Sequence, residues 1–455
     1  MKKEVSLFIL LGIIVLASRL PFLADGYGSE DDSWGLVLNA RLMAQTGEYS
    51  FSRLPGHPVQ EYLLMLMPNA GAFNMNMLSV LFSVISALCF AGILKHYNMN
   101  NRFLWSVVFA TIPAIWISST YTIDYTWALA FILLAWYGTL KKYYAWAGVF
   151  LGLAIGCRIT SGAVIAGLIW MAVRQEKSNL RPLLSLCFFT LIMASLCFLP
   201  SWLKYGWSFF DTYRLPYPSL PKVLYKASFG VWGGTGCLAL LLLLITKVKG
   251  LSAEAQQFKK SFPLVLVCLL YLLAFLVLPQ KSAFFIPAIP FLLVWLLDQS
   301  FKPAATAILS LLFILSPLMF GFNLASAERG ADYSDFALVR KIAGQEVFLD
   351  PLNGPLQNEQ SRRRNRQAYI SQALKAASQL TPNDLVLCGW WTNQFTVNCQ
   401  DMGGCRFQIG EFFDKPQLDS IIRSGSRIWY LSEIDQANDE RYGMTYTASV
   451  ARELR

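Results

Sequence analysis

Charge is what this chain has least of. Only 15% of its 455 residues are Asp, Glu, Lys or Arg, against roughly 25% in soluble domains, while 55% are hydrophobic. Histidine occurs twice, and none of the nine cysteines falls into paired C-x-x-C spacing. A zinc centre built from clustered thiolates and imidazoles is therefore not expected. Internal repeats and low-complexity tracts are also missing, which argues against a solenoid or a disordered tail. The net charge of +10 is spread through short gaps between apolar runs, not gathered on a polar face, so nucleic acid is not an expected partner.

What remains is apolar sequence in excess of any single core. A mean hydropathy of +0.43 over this length calls for lipid as solvent. A bilayer core needs ~20 apolar residues per helix, and about eleven spans meet that pattern. They lie near 4–23, 76–96, 102–120, 124–140, 143–157, 159–174, 182–200, 227–246, 261–279, 283–299 and 303–322. The fifth and sixth are short and nearly continuous, either one broken helix or a tight pair. The apolar stretch Val5 to Leu23 is long for a signal h-region and has no clear small-residue cleavage site, so it reads as a retained first helix.

Basic residues set the parity. Lys2, Lys3, Lys95, Arg102, Lys141, Lys142, Arg174, Lys177, Arg181, Lys247, Lys249, Lys259, Lys260 and Lys302 all fall on one side if the N-terminus is inside. Merging the fifth and sixth spans would reverse everything after them. The expectation is a polytopic α-helical membrane protein of about eleven transmembrane helices, N-terminus inside. Residues 1–322 form its transmembrane domain, with 24–75 as a first extracytoplasmic loop carrying interfacial helices. Residues 323–455 form a small extracytoplasmic α/β domain.

That tail is polar. Arg362 to Arg366 open a helix-like stretch over Gln367 to Leu380; strands are expected at Asp384–Cys388 and Arg427–Leu431, with a helix at Phe413–Ser424. If the tail meets an oxidising compartment, Cys399–Cys405 is the first choice for a disulfide.

The chemistry-bearing residues gather in the first loop. Glu30, Asp31 and Asp32 stand in a row where the first span has just ended. Behind them Trp34, Val37, Leu38, Leu42 and Met43 form a helical stripe, so the acids occupy the N-terminus of an interfacial helix, where the macrodipole favours negative charge. Capping alone would explain Glu30 and Asp31. Arg53-Leu54-Pro55-Gly56-His57-Pro58 then forces a turn. His57 reads as a polar turn residue, or as an acceptor or phosphate contact. Arg158, close to the membrane interior, is costly there and reads as functional or as the ion-pair partner of Asp124.

In their order these stretches resemble the glycosyltransferase C-fold superfamily, in the group of protein O-mannosyltransferases and aminoarabinose transferases. The resemblance is carried by Arg19 with Pro21, Asp31-Asp32, Ala40-Arg41, Gly47 with Tyr49, Arg53 through Pro58, Asp124-Tyr125, Gly152 through Arg158, and Lys281 through Pro290. It covers roughly residues 5–320 and departs at Ser33, where a Glu is common, and at Ala283, where an arginine is usual.

The resemblance implies an inverting transferase moving a hexosyl or pentosyl group from a polyprenyl-phosphate-linked sugar to a glycan, lipid or protein acceptor. Asp32 or Asp31 would be the catalytic carboxylate, acting as general base, with Asp124 in support; spacing from Ala40 points to Asp32, and Ser33 leaves the choice open. Arg158 and Lys281 would hold the donor phosphate, with Lys204, Arg214, Lys222 or Lys226 as helpers. Glu30, Arg53, His57 and Trp34 would contact acceptor or substrate. No cofactor is expected, although neighbouring acids could take a divalent cation through oxygen. The expected location is the plasma membrane, the inner membrane of a bacterium. Competing readings are a transporter or lipid flippase, which should show repeat symmetry and mid-membrane polar pairs, and an O-antigen ligase or polymerase, which should rely on a large late outer loop.

Overall fold

The computed structural model describes residues 2–176, 179–210, 217–249, 255–298, 301–324, 331–342, 345–411, 415–431 and 451–454. Each of the eleven apolar segments is helical. The first is α1 (Lys2–Arg19), and the loop after it carries α2 (Asp31–Thr46) and α3 (Pro58–Met65). Next come α4 (Ala72–His96), α5 (Arg102–Thr111), α6 (Pro113–Ser118), α7 (Tyr125–Leu140), α8 (Tyr144–Cys157), α9 (Val164–Glu176) and α10 (Arg181–Tyr205). They are followed by α11 (Leu220–Ala227), α12 (Phe229–Lys249), α13 (Ala255–Val277), α14 (Ile289–Leu297) and α15 (Pro303–Leu315). Among the described residues four helices are long and apolar enough to cross a bilayer by themselves; the other apolar helices are shorter or broken.

The breaks have local causes. Pro113 has no N–H to donate, so the third apolar segment divides into α5 and α6. Arg19, at the end of α1, takes the freed carbonyl of Ala110 and also reaches Ser119 Oγ at 3.3 Å. Its guanidinium lies 4.8 Å from the Trp116 ring, so this fully buried cation is satisfied without a carboxylate. The fifth and sixth segments form a pair. Arg158 is extended, a 3-10 turn spans Ile159–Ala163, and α9 returns beside the start of α8. There Lys142 meets Glu176 at 3.0 Å and Tyr144 Oη donates to Glu176 at 3.0 Å. A glycine permits the tight contact of α8 with α10: a Cβ on Gly152 would fall 2.5 Å from that of Met193.

One end of the bundle is basic. Glu4 of α1 binds Lys95 at 2.8 Å and Arg102 at 2.5 Å, bringing the ends of three helices together. The loops at the other end carry Glu30, Asp31, Asp32 and Asp124. Between the ends, α1 and α10 turn Ile9, Ile13, Leu184, Leu191 and Leu196 outward, as a lipid-facing surface does.

The tail begins with β1 (Gly321–Leu324), which joins β2 (Leu338–Ile342) and β3 (Gln345–Asp350) in an antiparallel sheet of order β1-β3-β2. After α16 (Pro355–Ala377) come β4 (Asp384–Leu387), α17 (Thr392–Asp401), β5 (Gln408–Gly410), α18 (Lys415–Arg423), β6 (Arg427–Leu431) and β7 (Arg452–Leu454). The last four strands form a parallel sheet of order β5-β4-β6-β7. The helix expected from Gln367 starts twelve residues earlier, because Pro355 at its first turn and Gln357 bonding back to the Gly354 N–H at 3.2 Å begin it there. Cys399 and Cys405 are joined in a disulfide, their Cα atoms 5.6 Å apart.

Candidate active site

The site starts at the first turn of α2. Glu30 is the N-cap, with extended backbone, and Asp31 and Asp32 occupy the first turn, so three carboxylates stand at the positive end of the helix dipole. The loop before them is tightly drawn: a side chain at Gly28 would place its Cβ 2.7 Å from Ser33 Oγ.

The three acids have different partners. Lys281, between α13 and the 3-10 turn Ser282–Ala288, donates to Glu30 Oε2 at 2.5 Å and to Asp32 Oδ2. Arg53 Nε lies 3.7 Å from the same Asp32 oxygen. Asp31 turns away toward the tail, where Asn393 Nδ2 donates to it at 2.6 Å and the Gln394 N–H at 3.4 Å.

These surroundings separate the two adjacent carboxyls. Burial pushes Asp32 up, but Lys281 and Arg53 outweigh it and hold the group well below the usual carboxylate range. Burial, helped by the neighbouring charge of Asp32, pushes Asp31 up to about 7. Burial also works against the Lys281 ammonium, yet Asp32 and Glu30 hold it well above the usual lysine range.

A second knot lies directly behind. Asp124, fully buried at the N-cap of α7, receives Arg53 Nη2 at 2.5 Å and Arg158 Nη1 at 2.7 Å. The Arg158 guanidinium is sandwiched between Tyr125 and Phe284, 4.3 Å and 5.2 Å from the ring centres. His57 Nδ1 stands 2.6 Å from the Cys157 carbonyl and 3.5 Å from Asp124. Burial, then the charge of Arg53, pushes the imidazole down to about 4, so it is neutral and Nδ1 carries the proton. Among the described residues its Nε2 is buried with no hydrogen-bond partner, as is Arg53 Nη1. Two unused donor or acceptor positions therefore remain inside the cluster.

Glu30, Asp32, Arg53, His57, Asp124, Arg158 and Lys281 are thus brought together from loops and helix ends 251 positions apart. Trp34 stands apart: its indole donates to the Gly28 carbonyl at 2.9 Å and its ring meets Tyr27 edge-on, beneath the acidic loop. Lys204 joins Glu48 at 2.9 Å on the exposed side of the first loop. Lys226 donates to the Gln280 carbonyl beside Lys281, and burial together with Lys222 and Lys281 pushes it down to about 8. Arg214 lies outside the described residues.

Sequence reasoning missed two contributors. Glu61 is fully buried and accepts from Tyr49 Oη at 2.7 Å, Ser52 N at 2.7 Å, Ser52 Oγ at 2.8 Å and the His57 N–H at 3.0 Å. It is the hub on which the Arg53–His57 turn is wound; its place four residues after His57, at a helix start marked by Pro58, was the available signal. The other is the tail, whose Asn393 touches Asp31 and whose Arg362 donates to Ser29 Oγ at 2.8 Å. No local pattern marks a contact across more than three hundred residues.

No family model matches this chain, and no curated protein matches it either. Solved structures do. The crystal structure of ArnT from Cupriavidus metallidurans bound to undecaprenyl phosphate matches over 100% of this chain and 90% of that one, with a TM-score of 0.55 at 10% identity. The apo form of the same protein matches over 99% and 89%, with a TM-score of 0.52 at 11% identity. At such identities the likeness is one of architecture: this chain shares the fold of ArnT.

Proposed function

We propose that this protein is a membrane glycosyltransferase that moves a sugar from a polyprenyl-phosphate donor to an acceptor hydroxyl on the extracytoplasmic face. One observation carries the reading. An ionised carboxylate, Asp32, lies against a lysine and an arginine at the non-basic end of an apolar bundle. That is the pairing such a transfer needs: a base for the acceptor and cations for the departing phosphate. The neighbour's printed ligand, undecaprenyl phosphate, suits a donor of this class.

In this reaction the acceptor oxygen bonds to the anomeric carbon as the carbon–oxygen bond to the lipid phosphate breaks. The acceptor proton passes to Asp32, and the electron pair leaves with polyprenyl phosphate. Direct displacement inverts the anomeric centre. Charge grows on the leaving phosphate, so Lys281, Arg53 and Arg158 are assigned to it. A carboxylate paired to Lys281 and Arg53 is a weak base. A donor phosphate that draws both cations to itself releases Asp32 at the moment the acceptor needs it. Asp124 then serves to aim Arg53 and Arg158. The reading uses no metal and no cofactor. It places the basic bundle end in the cytoplasm and the tail in the extracytoplasmic space of a bacterial inner membrane. Glycan, lipid and protein acceptors are all compatible with it.

The test is release of polyprenyl phosphate by purified protein given a polyprenyl-phosphate sugar and candidate acceptors. Asp32→Asn keeps the shape and removes the base, with an expected loss of about 10²–10⁴-fold. Turnover retained in that variant would remove Asp32 from the mechanism.

A further inference from the structure

The acidic loop before α2 and the loop that leads to Asp124 come from different parts of the chain, yet Asp32 and Asp124 must stand a fixed distance apart for Arg53 to bridge them. Inside the bundle a few bonds join these loops: Thr122 N–H donates to the Tyr27 carbonyl at 2.8 Å, and Ser29 Oγ and Tyr121 Oη lie 2.8 Å apart. Asn76 of α4 bridges them too, donating to the Leu23 and Gly26 carbonyls at 2.9 Å and accepting from Thr122 Oγ1 at 2.8 Å. A further tie comes from outside the bundle. Arg363 of α16, 4% exposed, donates through Nε to the Asp25 carbonyl at 3.1 Å and through Nη2 to the Gly26 carbonyl at 2.7 Å. Its Nη1 reaches Thr120 Oγ1 at 3.3 Å, and its guanidinium lies 5.1 Å from the centre of the Tyr121 ring. All three guanidinium nitrogens are used, two on one loop and one on the other.

We propose that Arg363 is a positioning residue for the transferase site, a tail arginine that locks the Asp25–Asp32 loop to the Thr120–Asp124 loop and so sets the spacing of Asp32 and Asp124. The inference rests on the transfer reading for its catalytic half only; the lock itself is a matter of geometry. A planar guanidinium can bind two carbonyls and a hydroxyl in one plane while stacking on a ring, which a lysine ammonium does not do. Burying such a group is costly unless every donor is used, and here both loops supply the acceptors. Neighbouring arginines reinforce the acidic side: Arg366 donates to the Ser29 carbonyl, and Arg364 reaches Asp25 Oδ1 at 3.3 Å. Arg363 touches both loops. The tail therefore completes the site and does more than cover it.

Hydrogen exchange and turnover on the full-length protein test this together. In Arg363→Gln, peptides covering 25–32 and 119–124 should both exchange faster, while the rest of the bundle stays as in the parent. Turnover should fall on the order of a hundredfold, the loss an ångström-scale misplacement brings, with the donor KM little changed. Arg363→Lys should recover part of the protection and little of the turnover. Arg427→Gln, which breaks an ion pair to Asp384 wholly within the tail, should leave both loops protected and turnover at the parental level. If Arg363→Gln does not fold, Thr120→Val removes the other end of the lock and should loosen the same two peptides together. Unchanged exchange in both peptides of a folded variant would overturn the lock. Faster exchange with parental turnover would overturn its catalytic role. A parent protein that releases no polyprenyl phosphate would sink the transferase reading and leave the exchange result to decide the lock alone.

Discussion

Lys281 and Asp32, 249 positions apart, meet in an ion pair at the first turn of α2. The pair makes the ionisation of Asp32 depend on a residue from the far half of the chain. Lys281→Met removes the larger of the two charges that hold the carboxyl down. The folded pKa of Asp32 then rises, and the acid limb of the pH–rate profile moves to higher pH. Turnover at neutral pH falls ~10²-fold through loss of phosphate stabilisation. Lys281→Arg should keep the acid limb near its parental place. A Lys281→Met profile that superimposes on the parent's would show that the pair does not govern the base.

Asp31 has the opposite electrostatics. Its folded pKa is raised to about 7, above the ordinary 3.8, by burial and then by the charge of Asp32. Between those values the folded state binds more protons than the unfolded one, so this group's contribution to stability falls as pH rises through that window and levels off above about 7. Asp31→Asn removes the titration. Its melting temperature should equal or exceed the parent's at pH 8, and the advantage should shrink by pH 5. A parental melting curve that is flat from pH 5 to 8 relative to Asp31→Asn would contradict the assignment.

His57 supplies a pH dependence of the other sign. Burial and Arg53 depress its folded pKa from 6.5 to about 4. The unfolded state therefore binds more protons between those values, and stability falls as pH drops from about 6.5 toward 4. The imidazole itself should not titrate above about pH 5, so its NMR resonances should stay fixed from pH 8 to 5. A midpoint near 6.5 would place the ring in water rather than against the Cys157 carbonyl.

The parts of this molecule legible in sequence were those set by local physics. Apolar run length marked the eleven apolar segments that are helical, and the charge pattern anticipated the basic end where Glu4, Lys95 and Arg102 meet. The ion pair of Arg158 with Asp124 was readable because an arginine among apolar residues needs a partner. What escaped was whatever depends on distant chain segments touching. Arg362 to Arg366 read as the polar opening of a helix, yet Arg363 is buried against the Asp25 and Gly26 carbonyls of the loop beneath it. Asn393 carried no local signal and meets Asp31 because α17 packs on α2. Nor did any local pattern mark the bond from the Trp34 indole N–H to the Gly28 carbonyl.

The tail disulfide gives a compartment-dependent prediction. Cys399 and Cys405 are bonded, while Cys388 is a buried free thiol. If the tail folds in an oxidising compartment, alkylation of unfolded protein should label both partners only after reduction, and Cys388 without it. Replacing both partners by alanine should cost about 2 kcal/mol of tail stability, the chain-entropy value for so short a loop. Full alkylation of Cys399 and Cys405 without reductant would argue for a cytoplasmic tail and reverse the proposed orientation.

Glu61 offers a sharper separation of fold from chemistry. Its carboxylate accepts two backbone N–H groups, from Ser52 and His57, and two hydroxyls, from Tyr49 and Ser52. An amide at this position keeps one acceptor oxygen and turns an NH2 group toward donors. At least one buried donor then loses its partner, at about 1–3 kcal/mol. The strain falls on the turn that carries Arg53 and His57, neither of which Glu61 bonds through a side chain. Glu61→Gln should therefore lower turnover with Asp32 intact, and the acid limb set by Lys281 and Asp32 should shift only as far as Arg53 moves. Glu61→Asp, which keeps the charge but shortens the reach, should fall between. If Glu61→Gln loses thermal stability yet turns over at the parental rate, the hub supports the loop without aiming Arg53, and the positioning of that arginine must come from Asp124 and Asp32.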